Sequence, residues 1–126
     1  EYIRHPELSS DSGCYPDFGQ DCNRTLLLNG WFHDLGDLRQ EDRLTHDYLL
    51  TCIASMVEKY QVDGIRLDTA TCMPNWFLDE FQRAVGIDVL GEVTTFNVSF
   101  HRSFVPTLHG LLNFPVTSVL GEVLTP

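Results

Sequence analysis

Asp63-Gly64-Ile65-Arg66-Leu67-Asp68 is the stretch whose reading decides the fold. It reads as a short strand. Residues two apart on a strand share a face, so Ile65 and Leu67 turn toward apolar packing while Arg66 and Asp68 turn together to the other side. A guanidinium beside a carboxylate keeps that carboxylate ionised and orients it. Two readings fit the hexapeptide equally well: a structural ion pair at a strand end, or a functional Asp held in its charged form.

The flanking sequence bears on that choice. Upstream, residues 41–60 carry a helical pattern, with Leu44, Tyr48, Cys52, Met56 and Tyr60 on one stripe and Leu49, Ile53 and Val57 widening it. Asp42 or Thr45 is the expected cap. Downstream, a second helix is expected from Pro74 to Val85, with Trp76, Phe77, Phe81, Ala84 and Val85 as its apolar face and Gly86 as its stop. The β-rich run Ile87–Val93 follows, then a weaker helix near Val98–Leu108, then a strand at Gly110–Phe114 stopped by Pro115. Strands alternating with helices imply parallel βαβ units, in which functional groups gather at the carboxyl ends of the strands. Asp68 and Glu92 both sit at such ends, 24 residues or one βα unit apart.

Neighbouring parallel strands lie about 5 Å apart, so the two carboxyls can meet. A retaining glycosidase needs such a pair: one carboxylate attacks the anomeric carbon and the other protonates the leaving oxygen. Arg66 would keep Asp68 ionised. Glu92 has no cation beside it in sequence and suits the acid role. The alternative is two strand-end carboxylates with no joint role. Val-Leu-Gly-Glu-Val recurs at 119–123, so the pentapeptide alone signals nothing, and Glu122 reads as a structural or solvated residue on a further helix.

Composition narrows the partners. The 126 residues carry a formal charge of −10 with only 8 Lys plus Arg and no basic run, which argues against nucleic-acid and anionic-membrane partners. No apolar run is long enough to span a bilayer. Glu1-Tyr2-Ile3-Arg4 shows neither a Met start nor a signal-peptide pattern, so we expect the chain to begin inside a longer protein. Cys14 and Cys22 bracket a turn-rich loop that a disulfide would close, whereas Cys52 and Cys72 read as buried thiols. With the sequons Asn23-Arg24-Thr25 and Asn97-Val98-Ser99, that loop suggests a secreted protein. Residues 1–37 lack periodicity and read as irregular. Trp76, Phe77 and Phe81 read as core. Trp31 is a weaker candidate for sugar stacking, and His5, His46, His101 and His109 show no ligand-like spacing.

Together these residues resemble the α-amylase family, glycoside hydrolase family 13, and most closely its fungal-type members. Asp63–Thr69 is similar to the fourth-strand motif, Gly91-Glu92-Val93 to the fifth, and Gly110–Pro115 to the sixth-strand segment. Leu35-Gly36-Asp37-Leu38 resembles the Leu-Pro-Asp-Leu motif, with Gly36 in place of Pro. The resemblance implies part of a (β/α)8 TIM-type barrel, about strands 4 to 6, at residues 39–126. Residues 1–38 would be the tail of an excursion domain that carries a calcium-site loop. A complete barrel needs roughly 250 residues. The resemblance further implies Asp68 as nucleophile, Glu92 as acid/base and Arg66 as the residue that orients Asp68. Thr71 and Cys72 stand where the family commonly has a substrate-binding Lys-His pair. The implied cofactor is Ca2+, held by Asp37 and by main-chain oxygens of Cys72 and Gln20, with further ligands outside this chain. The implied partner is an α-glucan, a starch-like polysaccharide or oligosaccharide, and the implied parent is a monomer. Two alternatives stand beside an α-amylase: an α-glucosidase or transglycosylase of the same family, and a non-catalytic glucan-binding protein on the same scaffold. The isolated chain is expected to be inactive.

Overall fold

The protein is described by a computed structural model, which covers residues 3, 17–19, 22–32 and 34–124. Three strands, β1 (Gly64–Leu67), β2 (Asp88–Gly91) and β3 (Gly110–Leu111), form one sheet in the order β1-β2-β3. Both pairings are parallel. Five helices accompany them: α1 (Arg24–Asn29), α2 (Arg43–Tyr60), α3 (Asn75–Val85), α4 (Val98–Arg102) and α5 (Phe114–Leu124). The alternation expected from the hydrophobic pattern is therefore observed. The short helix α1, inside the stretch read as irregular, was not expected.

Local chemistry explains the element ends. Asp42 caps α2, its carboxylate accepting from the Thr45 amide at 3.0 Å. Gly86 ends α3 at φ 64°, a left-handed conformation that favours glycine. Both sequon asparagines are helix caps: Asn23 accepts from the Thr25 and Leu26 amides, and Asn97 from the Phe100 amide.

The core lies between the sheet and the helices and centres on Phe77, Leu78, Phe81, Val89, Val93 and Phe104. Three expectations about it need correcting. Leu44, Tyr48, Cys52, Met56 and Tyr60 are exposed, and α2 meets the core through Leu49, Leu50, Ile53 and Val57. Two apolar stripes adjoin on this helix, and the narrower one faces the sheet. Trp76 is also exposed; it stacks on the His46 ring at 6.1 Å between centroids, while Leu78 takes the inward position. Ala84 is exposed, and the buried polar residue next to it is Gln82. The amide of Gln82 is satisfied there, donating to the Ile87 carbonyl at 2.8 Å and accepting from the His109 amide at 3.0 Å. Gln82 thus ties α3 to the starts of β2 and β3. Cys52 is an exposed thiol rather than a buried one, and Cys72 is partly buried; both are free. Cys22 is disulfide-bonded. The expected pairing with Cys14 falls outside the described residues.

Candidate active site

The β1–β2 register pairs Arg66 with Leu90 and Leu67 with Gly91. The next residues, Asp68 and Glu92, therefore leave the two strands side by side. The Glu92 amide donates to the Leu67 carbonyl at 2.8 Å, which extends the ladder to the point where the side chains diverge. Gly91 is required at this point. A Cβ there would overlap the Leu108 side chain and approach Leu111 Cδ2 to 3.3 Å.

Arg66 joins the two carboxyls. Its Nη1 lies 2.7 Å from Asp68 Oδ1 and its Nη2 lies 2.9 Å from Glu92 Oε1. The sequence left Glu92 without a neighbouring cation; the fold supplies one. A guanidinium fork suits this role because its two donors are held in one plane. A hydrogen bond with Glu92, followed by that from Arg66, holds the Asp68 carboxyl below the usual carboxylate range. Glu92 is also fixed from the other side, where the Thr69 amide donates to its Oε2 at 3.2 Å. Thr69 adopts φ 46° and ψ 36°, a left-handed conformation that is an outlier for a β-branched residue. Strain of this kind persists at functional sites where the surroundings over-determine it. Here the strained residue is the one whose amide reaches Glu92. The side chain of Asp68 is 66% exposed and that of Glu92 20%. One carboxyl is therefore open to an incoming group while the other is sheltered.

Beyond Thr69 the chain makes a single 3-10 turn, Ala70–Cys72. Thr71, a candidate substrate contact, is 1% exposed, and its hydroxyl lies 3.9 Å from Cys72 Sγ. Cys72 is partly buried, and burial pushes its thiol up. A cavity of about 580 Å³ runs beside β1 and is lined in part by Arg66, Asp68, Cys72 and Asp37. A second, of about 430 Å³, lies along the strands toward Asp88 and His109, away from the carboxyl pair.

Three residues were expected to hold calcium. Asp37 and Cys72 both reach the larger cavity. Gln20 falls outside the described residues. Calcium takes six to eight oxygen ligands. Asp37 with the Cys72 carbonyl falls well short of that number, and among the described residues no group of three or more His, Cys, Asp or Glu is placed to hold a metal. Among the described residues the implied donor set is therefore incomplete, as the resemblance led us to expect.

Sequence reasoning missed two features near the pair. Thr95, fully buried, donates to Asp17 Oδ1 at 2.6 Å across 78 residues and pins the loop after Glu92. Arg24 is the second. It donates to the Thr71 carbonyl at 3.4 Å. Neither has a local sequence signal, because both contacts span distant segments.

Fold and site define the class: a parallel α/β layer that carries an arginine-bridged pair of carboxyls at the carboxyl ends of adjacent strands. The chain is similar in sequence and in fold to α-amylases, the family its motifs resemble. It is 32% identical over 107 residues to Alpha-amylase 1 of Schizosaccharomyces pombe, a match that covers 82% of this chain and 17% of that protein. An α-amylase structure from Malbranchea cinnamomea superposes with a TM-score of 0.77 at 27% identity, over 91% of this chain and 23% of that one. An α-amylase structure from Geobacillus thermoleovorans shares the fold with a TM-score of 0.81 at 24% identity, over 94% and 26%. The chain thus spans about a sixth of the length of its curated relative. No family model matches it.

Proposed function

We propose that this chain is the catalytic segment of an α-amylase-like glycoside hydrolase that cleaves α-1,4-glucan links with retention. Asp68 attacks the anomeric carbon as the glycosidic C–O bond breaks, and Glu92 gives its proton to the leaving oxygen. Glu92, now a carboxylate, then takes a proton from water, which attacks the glycosyl ester and frees Asp68. Arg66 keeps Asp68 ionised and holds both groups in one frame. The observation that carries this reading is the single guanidinium shared by Asp68 and Glu92. Both carboxyls lie within reach of one guanidinium, the close placement that retaining chemistry uses, with its carboxyls about 5 Å apart. The hydrogen bond with Glu92, followed by that from Arg66, keeps the exposed Asp68 ionised, as a nucleophile requires.

In this reading residues 39–126 supply about strands 4 to 6 of a (β/α)8 barrel, and residues 1–38 the tail of an excursion domain. A starch-like polysaccharide or oligosaccharide approaches from the exposed Asp68 side. Cys72 lines the adjacent cavity, whereas Thr71 is buried and does not line it. Where amylases commonly present Lys-His, this chain has the shorter Thr71 and Cys72. That observation favours a second reading within the family, an α-glucosidase or transglycosylase with weaker contacts on the leaving-group side. The shared guanidinium speaks against a non-catalytic glucan-binding role, which has no use for a bridged carboxyl pair. Secretion is supported by the bonded Cys22, and we read the parent protein as a monomer. The isolated chain is read as inactive.

The test is the full-length protein with Asp68→Asn or Glu92→Gln, assayed on maltooligosaccharides. Each substitution is expected to lower turnover by at least ~1000-fold. Activity within about tenfold of wild type would overturn the assignment of roles.

A further inference from the structure

Two segments 78 residues apart close on each other just beyond Glu92. Thr94 and Thr95 continue the chain from β2, and residues 17–19 lie across them. The Thr95 hydroxyl donates to Asp17 Oδ1 at 2.6 Å, and the Gly19 amide donates to the same oxygen at 3.0 Å. The Phe18 amide donates to the Thr94 carbonyl at 3.1 Å. Asn97 closes the junction: its side-chain amide donates to the Gly19 carbonyl at 3.2 Å and its backbone amide to Thr95 Oγ1 at 3.0 Å. Thr95 is fully buried, and Asp17 is buried with it. Glycine is required at position 19, since a Cβ there would overlap Thr95 Oγ1 and come within 2.9 Å of Asn97 Cβ. The catalytic reading uses none of these residues.

From Asp88 to Phe96 burial alternates without a break. Val89, Gly91, Val93 and Thr95 are buried, and the residues between them, Glu92 included, are not. This period of two runs past the end of β2, so the segment stays extended to Thr95. The buried positions Val93 and Thr95 therefore decide which way Glu92 faces, because a slip of one residue would turn the acid to the other side. Val93 holds its place by packing. Thr95 is polar, and a buried hydroxyl needs a partner, which Asp17 supplies. An O–H···O bond of 2.6 Å has the length of a charge-assisted one, and its direction is fixed as packing alone is not. Arg66 and the Thr69 amide hold the Glu92 carboxyl; the Asp17–Thr95 bond holds the backbone that carries it. We propose that Asp17, acting through Thr95, is a positioning residue for Glu92, keeping its carboxyl where its proton meets the leaving oxygen. The proposal deepens the catalytic reading and rests on the role given above to Glu92.

The test compares two substrates on the full-length protein. A maltooligosaccharide needs a proton from Glu92 as its C–O bond breaks, whereas the fluoride of α-maltosyl fluoride leaves without one. Thr95→Val keeps the shape of the side chain and removes the hydroxyl. It is expected to lower kcat/KM on the maltooligosaccharide about tenfold or more, and on the fluoride by less than about threefold. Asp17→Asn keeps an acceptor oxygen and removes the charge, and is expected to give the same split at smaller size. Thr95→Ser restores the hydroxyl and is expected to recover most of the loss. A merely structural junction would lower Tm and slow both substrates alike. Equal slowing of the two substrates would therefore overturn the proposal, as would Thr95→Val and Asp17→Asn proteins that keep wild-type kcat/KM on both. If Thr95→Val does not fold, Asp17→Asn decides by the same comparison. A wild type that hydrolyses neither substrate would overturn the catalytic reading and this proposal together; an active wild type whose variants show no split would overturn the proposal alone.

Discussion

Replacing Arg66 by Met in the full-length protein removes the fork and keeps an unbranched apolar stem. The cost follows from the two contacts. A hydrogen bond to a charged group is worth about 1.5–3 kcal/mol when sheltered. The Asp68 arm is 2.7 Å long but ends on a side chain that is 66% exposed, so solvent reduces it to under ~1 kcal/mol. The Glu92 arm, at 2.9 Å, meets a side chain only 20% exposed and keeps most of its value, about 1.5–2 kcal/mol. Expressed in the transition state, a total of ~2–3 kcal/mol is a loss of about 30- to 150-fold in kcat/KM. The pH profile gives a second reading. Asp68 is held below the usual carboxylate range first by its hydrogen bond with Glu92 and then by Arg66. The variant keeps the first cause and loses the second. The acid limb of kcat/KM should therefore move to higher pH, because Asp68 must be ionised to attack. Steady-state kinetics on a maltooligosaccharide from pH 3 to 8 would show both effects. An Arg66→Met enzyme within about threefold of wild type, with its acid limb unmoved, would refute the reasoning.

Gly91→Ala should lower Tm by roughly 3–10 °C, since overpacking of a filled site costs about 1–3 kcal/mol and the new Cβ overlaps Leu108; an unchanged melt would show that the strand and Leu108 are not in register as described. His46 bridges α2 to α3, with Nδ1 3.0 Å from Asp47 Oδ1 and Nε2 2.7 Å from Glu80 Oε2. These bonds, that to Asp47 first, raise its pKa above the ordinary ~6.5. A raised pKa contributes stability that is fully present below about pH 6.5 and is lost as pH rises through the folded value. The effect on this partly exposed group should stay below ~1 kcal/mol, and His46→Gln should flatten the stability profile between about pH 6 and 8; an unaltered slope would remove His46 as its cause.

Much of the fold was legible because it rests on local chemistry. Asp42 before an apolar period, Gly86 after one, and the strand signals around Arg66 and Val89 each carry their own reason. The site was legible to the same depth. The register that sets Asp68 beside Glu92 follows from two strands of similar length joined by one helix. What remained hidden depends on which distant groups meet. Two apolar stripes on α2 compete, and only the sheet selects Leu49, Ile53 and Val57 over Leu44, Tyr48 and Met56. Gln82 is buried because a carbonyl and an amide at two strand starts need it, which no helical period reports. Arg66 looked like a partner for Asp68 alone, because sequence shows a neighbour two residues away and not one on the next strand. The contact of Arg24 with Thr71, 47 residues away, is invisible for the same reason.

The central claim is that Asp68 forms a covalent bond to the sugar while Glu92 serves as acid and then base. An α-maltosyl fluoride tests it directly, because fluoride leaves without a proton. In full-length Glu92→Gln protein the first step should proceed and the second should stall for want of a base. Intact mass followed by peptide mapping should then find one maltosyl unit, on Asp68. A sugar on any other carboxylate, or turnover to the inverted anomer with no labelled protein, would contradict the account.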